Sequence, residues 1–180
     1  MIFFTVVAAV TSLLIVASVV SHVRARRATN MTWDELVEKI QAVESDAVAT
    51  VALDHLTPTK NQLQFEPEEL WKLVGGLDGL QRMKENATVL IALAVFAERW
   101  NFNEGVIVAQ RMRRDGLALR RAVRAIEWGI YRQVWLNWST TTQPFRLQEA
   151  VASYYLMKQR LLALYETSHA GLYPRLAQAL

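Results

Sequence analysis

The chain has 180 residues and a mass of 20.5 kDa, with 52% hydrophobic and 21% charged residues, a mean hydropathy of +0.11 and a formal charge of +3. It contains no cysteine, which excludes a disulfide framework, a thiolate metal site, an iron–sulfur cluster and a cysteine nucleophile. Of the first 23 residues 17 are apolar and none is charged, and the roughly 150 that follow suit one buried core rather than two domains.

The first predicted element is the apolar stretch 2–20, whose polar members are Thr5, Thr11, Ser12 and Ser18. As a helix it spans about 28 Å, close to the hydrocarbon thickness of a bilayer, and it reads as a transmembrane anchor occupying residues 1–23. A cleaved signal peptide would open with a basic segment, whereas Met1 is followed directly by Ile2, Phe3 and Phe4. Arg24, Arg26 and Arg27 lie just after the stretch and no cation precedes it. The positive-inside rule then places the N-terminus outside, 24–31 as a basic juxtamembrane linker, and 32–180 as a cytoplasmic domain. Pairs of small residues, Ala8 with Ser12 and Ala17 with Ser21, would let two anchors approach as a homo-oligomer. In a cytoplasmic domain the three sequons at Asn30, Asn86 and Asn137 are chance matches.

Thr32-Trp33-Asp34-Glu35 reads as a capping box, with Thr32 as the N-cap. The stripe Leu36, Ile40, Val43, Ala47 and Val51 carries one helix from there to about residue 56, before Pro58. A loop follows over 57–66, and Pro67 with Glu68 and Glu69 opens a short helix stopped by Gly75-Gly76. The next helix, over 77–100, is apolar on nearly every side around Leu80, Met83, Ala87, Leu90 and Ala94, as a central bundle helix would be. Residues 101–103 make a turn into a long helix over 104–138, with Asp115-Gly116 as a candidate break. After the polar loop 139–143, Pro144 opens a last helix running to about Thr167, and Gly171 and Pro174 close the chain. No segment has strand periodicity, so the fold class is all-α: an N-terminal transmembrane helix followed by a bundle of about five helices.

The charges carry topology more than partner choice. The three arginines at 24–27 account for the whole net charge, leaving 31–180 neutral, with about −7 on residues 31–98 and +7 on residues 99–180. Within the basic half, Val108, Met112, Leu119, Val123, Ile126, Ile130 and Val134 project to one face of the long helix, and Arg113, Arg114, Arg120, Arg121, Arg124 and Arg132 to another. Trp128, Tyr131, Trp135 and Trp138 recur beside the arginines at coiled-coil spacing. Such a surface fits contact with an anionic leaflet or stacking on single-stranded nucleic acid. It fits best a structural seam in which the aromatics pack on another helix while the arginines meet the acidic half or water. The neutrality of the domain ranks nucleic acid below lipid.

Signals for catalysis are sparse. Glu166-Thr167-Ser168-His169 has the spacing used in di-iron bundles, which require two such motifs, and His55 beside Asp54 sits near a helix C-terminus. No phosphate-binding loop, nucleophile elbow or zinc motif occurs, and no cofactor is expected. The layout, with Arg26-Arg27-Ala28-Thr29, Glu85-Asn86-Ala87 opening a buried helix and Arg113-Arg114-Asp115-Gly116 in the next, resembles uncharacterised bacterial single-pass membrane proteins with a cytoplasmic helical domain. That resemblance implies a bacterial inner-membrane location and no residue roles. The sequence thus points to a membrane-anchored scaffold, adaptor or accessory subunit, held in the bilayer through residues 2–20 and contacting a protein partner or anionic lipid. The contact surface would be Arg113, Arg114, Arg120, Arg121, Arg124, Trp128, Tyr131, Arg132, Trp135 and Trp138. The alternative is a membrane-associated enzyme using His55 or His169 with nearby carboxylates.

Overall fold

The computed structural model describes residues 31–57, 65–136 and 144–180. Among these the chain is all-helical, with α1 (Trp33–Glu38), α2 (Ser45–Leu56), α3 (Pro67–Leu73), α4 (Gly76–Ala97), α5 (Phe102–Leu136), α6 (Pro144–Ser168) and α7 (Tyr173–Ala179). The candidate span 2–20, Arg24, Arg26, Arg27 and the sequon residues Asn30 and Asn137 lie outside the described residues. No helix among the described residues is long and apolar enough to cross a membrane. Residues Trp33–Leu180 form one compact unit.

The centre is an antiparallel arrangement of α4, α5 and α6. Lys84 of α4 pairs with Glu127 of α5 at 2.8 Å, while Thr88 is met by Arg120 at 2.8 Å, so the two helices run past each other in opposite directions. The expected stripe of α4 is buried throughout: Leu80, Met83, Ala87, Leu90 and Ala94 are each 0% exposed. Across it lie Met112, Leu119 and Val123 of α5 and Leu147, Val151, Met157 and Leu161 of α6, all fully buried. The start of α3 is fixed as Pro67 and its acidic neighbours predict, with the Glu69 carboxylate accepting the Glu66 N–H at 3.3 Å. The stop at Gly75-Gly76 also stands, both glycines having positive φ, at 77° and 63°.

Three expectations are corrected. The helix expected to run from Thr32 to residue 56 is broken into α1 and α2, because the backbone at Gln41 is bonded elsewhere. Its N–H donates to Asn86 Oδ1 and its carbonyl accepts from Asn86 Nδ2, both at 2.8 Å, so neither group serves a helix. Asp115-Gly116 does not interrupt α5, a continuous 35-residue helix. Asp115 forms an ion pair with Arg160 of α6. At the neighbouring Gly116 the helices come so close that an added Cβ would lie 3.1 Å from Ile91 and 3.6 Å from Met157. This glycine therefore serves packing rather than termination. Finally, Pro174 does not close the chain but stands in the first turn of α7, where its missing N–H costs nothing. The bundle accordingly has seven described helices instead of about five.

A buried polar network ties these elements together. The Tyr165 hydroxyl donates to the Leu93 carbonyl at 2.9 Å and accepts from Trp33 Nε1 at 3.1 Å. Two turns away on α4, Asn86 Nδ2 also donates to the Tyr154 hydroxyl at 3.1 Å. Tyr154 and Tyr165 lie on one face of α6, so α1 and the segment after it are latched onto α4 and α6 at two points. Burial disfavours the phenolate and pushes the pKa of both phenols above the ordinary tyrosine range, most strongly at Tyr165.

Candidate functional site

The long helix α5 turns Met112, Leu119, Ala122, Val123 and Ile126 inward and leaves the rest of its circumference to solvent. Arg113, Arg114, Arg121, Arg124 and Arg132 all stand on the solvent side, as the helical projection predicts. Arg120 is the exception: at the edge of the face it is half-buried and its guanidinium donates to Thr88 Oγ1 at 2.8 Å. It thus holds α5 against α4 and is withdrawn from the outer surface.

Trp128 is 62% exposed and Tyr131 63% exposed, so neither packs into a helical seam among the described residues. The Arg132 guanidinium lies 5.7 Å from the Trp128 ring, at the outer limit of a cation–π contact. Of Trp135 only the helical backbone is described, and Trp138 lies outside the described residues. Arg124, Ala125, Glu127, Trp128 and Tyr131 together line a shallow depression at the C-terminal end of the helix.

The electrostatics of the face follow from which charges are spent internally. From residue 105 to the end of α5 there are two acidic residues, Asp115 and Glu127. Both pair inward across helix contacts, with Arg160 and Lys84. None of Arg113, Arg114, Arg121, Arg124 and Arg132 forms an ion pair among the described residues. The outer face therefore presents cations to solvent with no neutralising partner on its own helix.

Reading the sequence for arginines and aromatic spacing alone misses part of this surface. Leu117, 51% exposed, sits between the arginine pairs, and the helical period already places it far from the core stripe. Phe145 and Arg146, from the first turn of α6, join Arg121 and Glu149 around a second depression beside α5. Their contribution had no signal in the sequence, because the antiparallel docking of α6 is what brings them there. At the other end of α5, Phe102, Val106 and Ile107 are also exposed, at 69%, 36% and 52%.

The histidines sit in a different chemistry. His55, in the last turn of α2, meets Phe145 edge-on with ring centroids 5.3 Å apart. Its neighbour Asp54 accepts a hydrogen bond from Gln148 at 2.9 Å. His169, just beyond α6, lies against Trp100 at 4.7 Å, and its Nδ1 is buried with no hydrogen-bond partner among the described residues. Glu166, the other half of the Glu-x-x-His spacing, is exposed and makes no hydrogen bond with His169. No group of three or more histidines, aspartates or glutamates among the described residues is placed to hold a metal ion.

Compared with known protein families, with curated proteins and with solved structures, the chain matches none. The functional reading accordingly rests on the residues themselves.

Proposed function

We propose that this is a single-pass membrane protein of the bacterial inner membrane whose helical domain, on the cytoplasmic side, acts by binding: a scaffold, adaptor or accessory subunit working through the outer face of α5. The anchor would be residues 2–20, oriented by Arg24, Arg26 and Arg27. The observation that carries the proposal is the solvent face of α5, where five arginines without ion pairs share one helix side with the exposed rings of Trp128 and Tyr131, Arg124 and Arg132 lying next to those rings. Arginine, tryptophan and tyrosine are the residue types over-represented where proteins contact a partner. The partner is a protein or the anionic membrane surface, and the neutral charge of residues 31–180 argues against a polyanion such as nucleic acid.

Anchorage and orientation are tested together in membranes isolated from cells producing the chain. The chain should resist extraction by alkaline carbonate, and protease added outside intact cells should leave the domain uncut while cutting it after lysis. Release by carbonate would remove the anchor, and cleavage in intact cells would reverse the topology.

A further inference from the structure

We infer that the outer face of α5 is a docking surface for anionic phospholipid, so that the domain lies with this helix along the leaflet. The inference rests on the preceding reading, which leaves the occupant of the face open, and it is carried by charge complementarity together with the helix's length. At 35 residues α5 is about 52 Å long. Along that length its outward side alternates exposed apolar residues, from Phe102 and Val106 through Leu117 to Trp128 and Tyr131, with Arg113, Arg121 and Arg124. Asp115 and Glu127, the two carboxylates between residue 105 and the end of the helix, are each neutralised in an ion pair, with Arg160 and Lys84, and Glu127 sits at the edge of the face where it lines the depression with Arg124, Trp128 and Tyr131.

That combination fits the interface of a bilayer. Arginine forms bidentate bonds with phosphate oxygens, and Trp and Tyr settle at headgroup depth because their rings are apolar with a polar edge.

The absence of cysteine makes the test direct. The full chain carrying Leu117→Cys is spin-labelled and reconstituted in nanodiscs of equal phosphatidylglycerol and phosphatidylcholine, or of phosphatidylcholine alone. Thr50→Cys, on the exposed side of α2, is the reference. Accessibility to oxygen and to a water-soluble nickel chelate reports the depth of each label. The expected result is that label 117 leaves water for the lipid interface in anionic discs only, while label 50 stays in water in both. Added salt should reverse the shift. The triple change Arg113→Glu, Arg121→Glu and Arg124→Glu should abolish it with helicity retained, since each cation near an anionic leaflet strengthens binding about fivefold.

A label at 117 as water-accessible as the one at 50 in anionic discs overturns the inference. So does shielding that ignores lipid charge and salt, or shielding produced by single-stranded DNA and not by lipid. If the chain fails to enter nanodiscs, the anchor falls, and the same labelled chain mixed with phosphatidylglycerol vesicles decides the lipid assignment alone: shielding of 117 supports it and its absence overturns it.

Discussion

Asn86 is 0% exposed, and its amide is used at both ends, accepting from the Gln41 N–H and donating to the Gln41 carbonyl and the Tyr154 hydroxyl. Replacing it with leucine keeps the branched shape but adds volume, and it strands the Tyr154 hydroxyl and the part-buried N–H and carbonyl of Gln41. Asn86→Leu should therefore destabilise residues 31–180 by about 2–4 kcal/mol in urea unfolding, and amide exchange should rise first around Gln41. An unchanged midpoint would mean that the break between α1 and α2 has another cause. Because the same amide is enclosed, the sequon at Asn86 has no acceptor to offer in the folded domain.

Tyr165 gives a second prediction at this scale. Its pKa is raised by burial, so below pH 10 folded and unfolded chains bind the same proton and stability is unaffected. Above pH 10 the unfolded phenol ionises while the folded one stays neutral, and stability falls by about 1.4 kcal/mol per pH unit for each such tyrosine. Tyr154 adds in the same direction. Lys158, whose ammonium is made easier to deprotonate by burial, opposes them, because for a cation of that kind stability rises with pH up to its ordinary value near 10.5. Unfolding measured from pH 8 to 11.5 should show a net alkaline loss that is shallower in Tyr165→Phe. Parallel curves for the two proteins would contradict the assignment.

At the scale of elements, α5 contains glycines in opposite situations. A Cβ at Gly116 meets Ile91 and Met157, whereas one at Gly129 meets nothing within 4 Å. Gly116→Val should cost about 1–3 kcal/mol by forcing α4 and α6 away. Gly129→Ala should stabilise by about 0.5–1 kcal/mol through helix propensity. Thermal unfolding of the two variants checks both signs.

These helices also show what was legible in advance. The stripe of α4, the core positions Met112, Leu119, Val123 and Ile126 of α5, the start of α3 at Pro67 and the solvent side of the arginines other than Arg120 follow from the helical period and local capping, whereas Val108 and Ile130, expected on the same core face, are only partly buried. The split between α1 and α2 could not be read in advance. Residues 39–44 contain neither glycine nor proline, and Ile40 and Val43 continue the stripe of Leu36. The group that competes for their backbone is Asn86, 45 positions along the chain. A polar residue between Met83 and Leu90 on an otherwise apolar face was the available sign that something had to bond to it. Asp115-Gly116 misled for a related reason: local turn chemistry was outweighed by two helices pressing on the same point.

For the molecule as a whole, the separation of charge between residues 31–98 and 99–180 is only partly resolved inside the domain. Lys84 with Glu127 and Arg175 with Asp34 join the halves, yet the second pair is more than 60% exposed and contributes little. Most of the arginines of α5 form no ion pair among the described residues, which is the charge the proposed binding surface would use. The sequence identifies that helix and its arginines. It could not show that Trp128 and Tyr131 stay uncovered, since the same spacing serves a helix–helix seam equally well, nor that Phe145 and Arg146 arrive beside Arg121.

The central claim, that the outer face of α5 is the working surface of the protein, is tested most directly by alkylation of single cysteines in native membranes. Full-length chains carrying Leu117→Cys or Thr50→Cys are exposed to a water-soluble maleimide, first in the membrane and then after transfer to detergent. The expected result is a rate at position 117 slowed at least about tenfold by the membrane, equivalent to 1.4 kcal/mol of protection, with position 50 unchanged. Equal rates at the two positions in both settings would show that nothing covers the face and would contradict the claim.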